Sequence, residues 1–187
     1  MNGCLDLEED LAKLQAKIRS CRRCELALSR RNAVLGEGPH HAKIMIVGEA
    51  PGEQEDLLGK PFVGAAGHFL NNLLESVNLA RKHVFITNVV KCRPPSNRPP
   101  RKREIAACNP YLLKQITLIR PRIICPMGNF AIKTLTHKSM PVSKVHGIPE
   151  KKDEVLFFPT YHPAAALYDV KLKEVLFQDF AKLKHLL

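Results

Sequence analysis

Lys43-Ile44-Met45-Ile46-Val47-Gly48-Glu49-Ala50-Pro51-Gly52 decides how the rest of the chain is read. Its apolar, partly β-branched run is short and stops at Gly48, which predicts a buried strand ending in a tight turn. Upstream, Leu7, Leu11, Leu14 and Ile18 recur at helical spacing. Downstream, Leu70, Leu73, Leu74 and Val77 mark one face of a second helix. His83 to Val90 contains Val84-Phe85-Ile86-Thr87 and reads as a second strand. Ile105 to Ile119 reads as a helix ended by Pro121. Ile123-Ile124-Cys125 and Val155 to Phe158 supply two further strands, and Leu172, Val175, Leu176, Leu183 and Leu187 a closing helix. Strands alternating with helices predict an α/β fold: three α/β/α layers around a mostly parallel, four-stranded sheet, in one domain spanning residues 1–187.

Charge narrows the partner. The chain carries 29 Lys and Arg against 18 Asp and Glu, a net charge of +11. Such an excess suits a polyanion, nucleic acid first and a membrane surface second. No apolar run nears the roughly 18–20 residues that span a bilayer. Met1 to Asp10 is acidic and lacks the apolar core of a signal peptide. The expected setting is therefore cytoplasmic, with no membrane contact. There, six cysteines point to metal ligation or burial more than to disulfides.

Cys21 and Cys24 form a C-x-x-C, and Cys92 and Cys108 a wider pair with 15 residues between them. Four thiolates suit tetrahedral zinc or a 4Fe–4S cluster, and the ligands alone do not separate the two. Cys125, inside an apolar strand, reads as a small buried hydrophobe, and Cys4 as a free terminal thiol. Arg22, Arg23, Arg30 and Arg31 flank the first pair. Lys91, Arg93, Arg98, Arg101, Lys102 and Arg103 accompany the second. A metal there would staple two basic loops into one surface for DNA phosphates. Pro94-Pro95 and Pro99-Pro100 make the intervening segment a stiff loop.

Ligands of open α/β sheets bind beyond the carboxyl ends of strands. Just past three strands stand Glu49, Asn88 and His162, an acid, an amide and an imidazole. Each alone is equally readable as a turn residue; together they outline a pocket. Phe62, on the Pro- and Gly-constrained loop Gly59 to Gly67, could pack in the core or stack a flat ligand.

Gly48-Glu49-Ala50-Pro51-Gly52-Glu53-Gln54-Glu55-Asp56, Thr87-Asn88-Val89-Val90-Lys91-Cys92-Arg93-Pro94-Pro95 and His162-Pro163-Ala164-Ala165 together resemble the motifs of the family 4 uracil-DNA glycosylases. The resemblance runs from about Cys21 to the C-terminus. It implies a glycosylase that flips uracil out of DNA and hydrolyses its N-glycosidic bond. It implies a structural 4Fe–4S cluster on Cys21, Cys24, Cys92 and Cys108. Glu49 and His162 become the catalytic pair, and Ala50, Glu55, Phe62 and Asn88 the uracil site. Glu55 is expected near the C5 face, where it helps to reject thymine. Arg93, Arg98 and Arg101 are expected on DNA phosphates, with Leu167 a wedge in the minor groove. The implied partner is uracil-containing DNA, single- or double-stranded, bound by a monomer; a sliding clamp is a candidate further contact. Glu49 stands where the best-known branch of the superfamily has aspartate, and no tyrosine follows it, so water activation is expected to be weaker or differently arranged. No basic insertion carrying an extra histidine, as in the covalent uracil-binding relatives, is present.

Two other classes compete. A metal-stapled binding module explains the charge and cysteines but not the three strand-end residues. A nuclease would need a carboxylate cluster, for which Glu49, Glu53, Glu55 and Asp56 are candidates.

Overall fold

The computed structural model describes residues 3–136 and 140–186, with side chains from Leu7 onward. The Cys4 side chain and Leu187 lie outside the described residues. The elements in chain order are α1 (Gly3–Arg19), α2 (Leu26–Ser29), β1 (Ile44–Gly48), α3 (Glu53–Leu58), α4 (Ala65–Ser76), β2 (Val84–Asn88), α5 (Lys102–Ile119), β3 (Ile123–Pro126), α6 (Gly128–Thr136), α7 (Val142–Val145), β4 (Glu150–Lys152), β5 (Val155–Phe157), α8 (Ala165–Tyr168) and α9 (Lys171–Lys184).

The sheet order is β2-β1-β3-β5-β4. β1 pairs in parallel with β2 and β3, and β3 pairs in parallel with β5. β4 runs antiparallel to β5 at the edge. The sheet thus has five strands where the sequence predicts four. The additional strand, Glu150-Lys151-Lys152, is short and solvent-facing, with no apolar alternation to announce it. A charged, short edge strand is also how natural sheets blunt an exposed edge.

Both faces of the sheet are covered, because successive β1 residues point to opposite sides. Met45 and Val47 join a core with Leu11, Leu14 and Ile18 of α1 and Leu112 of α5. Ile44 and Ile46 join a second core with Leu70, Leu73 and Leu74 of α4 and Leu176 and Phe180 of α9. All five β1 residues are buried, which explains why that strand reads as a continuous apolar run.

The chain passes from β1 outward to β2, then crosses back to β3 on the other side of β1. Connections therefore leave the carboxyl ends of β1 and β3 in opposite directions, which opens a crevice there. β5 has a longer reach than its regular pairing suggests. Phe158 N donates to Ile124 O at 2.8 Å, Thr160 N to Pro126 O at 3.1 Å, and Gly128 N to Thr160 O at 2.9 Å. These bonds carry the chain along β3 to His162.

Candidate active site

Gly48 pairs with Asn88 in the β1–β2 register, so Glu49 and Asn88 leave the sheet side by side. His162 arrives from the β5 extension. The three meet in one cavity of about 450 Å³ with Ala50, Glu55 and Phe62. That volume lies in the usual range of small-molecule sites, roughly 300–1,000 Å³.

Asn88 is 2 % exposed as a residue, and its carboxamide, which lines the cavity, makes no hydrogen bond among the described residues. Its backbone carbonyl, by contrast, accepts from Lys91 Nζ at 2.7 Å. The same ammonium donates to Thr87 Oγ1 and Gln115 Oε1, each at 2.7 Å. Burial brings the Lys91 pKa down to about 8. Its protons are thus spent on fixing the strand end, which leaves the Asn88 amide for the cavity. Gly48 makes room: a Cβ there would collide with Asn88 Oδ1 and, at 2.7 Å, with the Phe62 ring.

The Phe62 ring lies over His162, with centroids 5.4 Å apart and planes 25° apart. Its backbone has φ 51°, a left-handed conformation costing about 1–2 kcal/mol for a residue with a side chain. The loop holding it is packed against α4 at Gly67, where a Cβ would run into the Phe62 carbonyl.

Glu55 lines the cavity, but its oxygens serve the backbone. Oε1 accepts from Val63 N and Gly64 N at 2.8 Å, and Oε2 from Gly52 N at 3.0 Å. Asp56 likewise accepts from Arg31 N and Asn32 N. Glu53 is exposed, facing Arg93 at 3.6 Å. These carboxylates therefore do not converge on an ion, which removes the sequence basis for a nuclease. Glu49 makes no side-chain hydrogen bond among the described residues, and burial raises its pKa.

His162 Nδ1 accepts from Ala164 N at 3.1 Å. The proton of the neutral ring is then on Nε2. Burial pushes the His162 pKa down to about 4, and the Glu55 carboxylate works weakly against it. Around neutral pH the ring is an uncharged donor.

The stiff proline loop forms another wall, through Pro94, Asn97 and Arg98. Arg98 is held by a fork onto Glu104, at 2.9 and 2.6 Å. That hydrogen bond, with help from Arg101 N, keeps the buried Glu104 carboxyl below its ordinary pKa. Arg93 and Arg101 stay outside the cavity, Arg93 on Asn97 and Glu53, Arg101 beside Glu25 at 3.5 Å. Leu167 is 45 % exposed and also outside it. Its neighbour Tyr168, 91 % exposed, lines the cavity instead. Tyr168 and Asn97 carried no sequence signal; Tyr168 ends α8, and Asn97 closes a turn onto Pro94 O at 3.1 Å.

Cys21, Cys24, Cys92 and Cys108 line one separate pocket between α1, the β2–α5 loop and α5. Arg30 Nη1 donates to Cys92 Sγ at 2.9 Å and Lys91 N to Cys108 Sγ at 3.2 Å. Burial raises the Cys108 thiol to about 11 and also raises Cys92. Among the described residues, no three His, Cys, Asp or Glu side chains are arranged to hold a single metal ion. Cys125 is fully buried in β3, its pKa raised by burial to about 12, and it is inert packing.

A family model described as the uracil DNA glycosylase superfamily matches residues 35–183. The type-4 uracil-DNA glycosylase of Sulfurisphaera tokodaii is 48 % identical over 95 % of this chain and 85 % of its own. Those of Archaeoglobus fulgidus and Thermotoga maritima are 42 % and 40 % identical, each over 95 % of this chain and 94 % of theirs. A cavity assembled from three strand ends, four gathered cysteines and near full-length similarity agree: the chain belongs to the type-4 uracil-DNA glycosylases of the uracil DNA glycosylase superfamily.

Proposed function

We propose that the chain hydrolyses the N-glycosidic bond of uracil in DNA, acting on a flipped-out nucleotide and leaving an abasic site. One observation carries the reading: the Asn88 carboxamide, free of hydrogen bonds among the described residues and open to the cavity, shares it with a neutral imidazole, a carboxylate and an aromatic ring.

The everted base stacks on Phe62. Asn88 meets its Watson–Crick edge, accepting from N3–H and donating to O4, a pattern that cytosine does not offer. Glu55, pinned by three backbone N–H groups, is a rigid wall on the C5 side. As the bond to the sugar breaks, negative charge grows on uracil O2 and His162 Nε2–H donates to it. One such donor typically contributes about 2.7–4 kcal/mol. Glu49 faces the cationic sugar and orients the water. Burial raises its pKa, so its ionised form is gained only as pH rises past the ordinary carboxylate range. Arg93, Arg98 and Arg101 take phosphates, and Leu167 with Tyr168 lies against the opened base stack.

Cys21, Cys24, Cys92 and Cys108 would hold a 4Fe–4S cluster. A single zinc ion draws all its sulfurs to about 2.3 Å, whereas a cluster spreads them over four irons. Four thiol donors gathered round one pocket suit the cluster. When bound, it would supply the positive charge that buried thiolates need and tie the segment after α1 to the β2–α5 loop and α5.

Purified protein on a uracil-containing oligonucleotide, with EDTA and beside a thymine control, tests the activity. Free uracil and an alkali-labile site are expected. A strand that stays intact in alkali, or one cut only with divalent metal, overturns the reading.

A further inference from the structure

Phe62 sits in a backbone conformation that its side chain disfavours, so something must hold it there. Glu55 grips the loop by its N–H groups. Its carbonyls are gripped from the other side by a residue outside the cavity. Arg81 Nη2 donates to Pro61 O at 2.6 Å, and Nη1 to Phe62 O at 3.2 Å. The same guanidinium is anchored to the body of the protein. Nη1 also donates to Asn71 Oδ1 of α4 at 3.1 Å, and Nε to Glu37 Oε1 at 3.4 Å. Glu37 in turn exchanges backbone hydrogen bonds with Ile86 of β2. One planar fork thus connects the loop, a helix and the strand that ends in Asn88.

We propose that Arg81 is a positioning residue: it locks the backbone of Phe62 so that the ring presents its face to the base, at a fixed place relative to Asn88. Its planar set of donors is what the geometry uses. A lysine ammonium, a point charge on a flexible stem, could serve one carbonyl but not this array. The proposal deepens the uracil-cleaving reading and rests on it for its catalytic readout.

The test is a double-mutant cycle with Arg81→Met, Arg81→Lys and Phe62→Ala, assayed below each variant's melting temperature. Arg81→Met should lower kcat/KM on uracil-DNA about tenfold, the scale of one lost base-stacking contact. Arg81→Lys should recover part of it. In the Phe62→Ala background, Arg81→Met should add nothing, because a residue acting through Phe62 has nothing left to position. Losses that simply add, or an Arg81→Met enzyme equal to wild type, overturn the proposal. Hydrogen exchange at Val63 and Gly64 gives a readout independent of turnover. It should quicken in Arg81→Met, and in Arg81→Lys to a lesser degree. Unchanged exchange in both overturns the clamp. Wild-type protein that releases no uracil overturns the activity instead, and exchange then decides the clamp alone.

Discussion

Desolvation of the half-buried His162 ring favours its neutral form, and that shapes how this site responds to acid. Its folded pKa of about 4 lies below the usual 6.5, so the unfolded chain binds the proton more readily. The stabilisation from this site is complete above pH 6.5 and is lost as pH falls towards 4. His162→Ala should therefore show a smaller drop in unfolding free energy between pH 7 and 4.5 than wild type, as read by urea melts. Turnover by the wild type should show no step near 6.5; with the roles proposed above, the acid limb is expected to come from Glu49, whose pKa burial raises. A step at 6.5 that disappears in His162→Ala would place the ring in water instead. Glu55 illustrates how far a residue's identity carries. The motif places it at the pocket, but its three backbone hydrogen bonds were not legible, because they depend on where the Val63 and Gly64 amides turn.

At the scale of elements, apolar spacing located the long helices and the buried strands well. α1, α4, α5 and α9 fall where leucine and isoleucine recur on one face. β4 escaped because an exposed edge strand needs no apolar residues. The short helices α2, α7 and α8 are single turns too brief for periodicity to show, and the six-residue α3 and nine-residue α6 also went unread. α9 owes its place to Phe180 and Leu176, both fully buried against α4 and the sheet. Phe180→Ala should cost about 3–5 kcal/mol in urea unfolding, the usual range for removing a buried aromatic. A loss under 1 kcal/mol would mean that α9 is docked by other contacts.

For the whole molecule, charge and the cysteine pocket matter most. Arg101 and Arg103 share the exposed Glu25 carboxylate. Exposed pairs of this kind contribute little, so DNA phosphates can displace them. Arg101→Ala should weaken DNA binding alike for all sequences and reduce the salt slope by about one. A sequence-selective loss would instead place Arg101 on a base. The four cysteines bring together the segment after α1, the loop that follows Asn88 and α5. With the proposed cluster bound, Cys92→Ser should abolish its visible absorbance and lower the thermal midpoint. Colourless wild-type protein containing zinc would exclude iron. Among the described residues, no helix is long and apolar enough to cross a membrane.

By itself the sequence determined the α/β layering, the ends of the strands that carry Glu49, Asn88 and His162, and which cysteines stand near basic residues. These are local properties: periodicity, chain breaks and residue type act over a few positions. Only the tertiary structure decided that the three side chains share one cavity, that Tyr168 reaches its rim while Leu167 does not, and that Arg81 grips the Phe62 loop. Such contacts join residues far apart in the chain. The crossover around β1 and the packing of both faces of the sheet set them, and no short stretch of sequence encodes either.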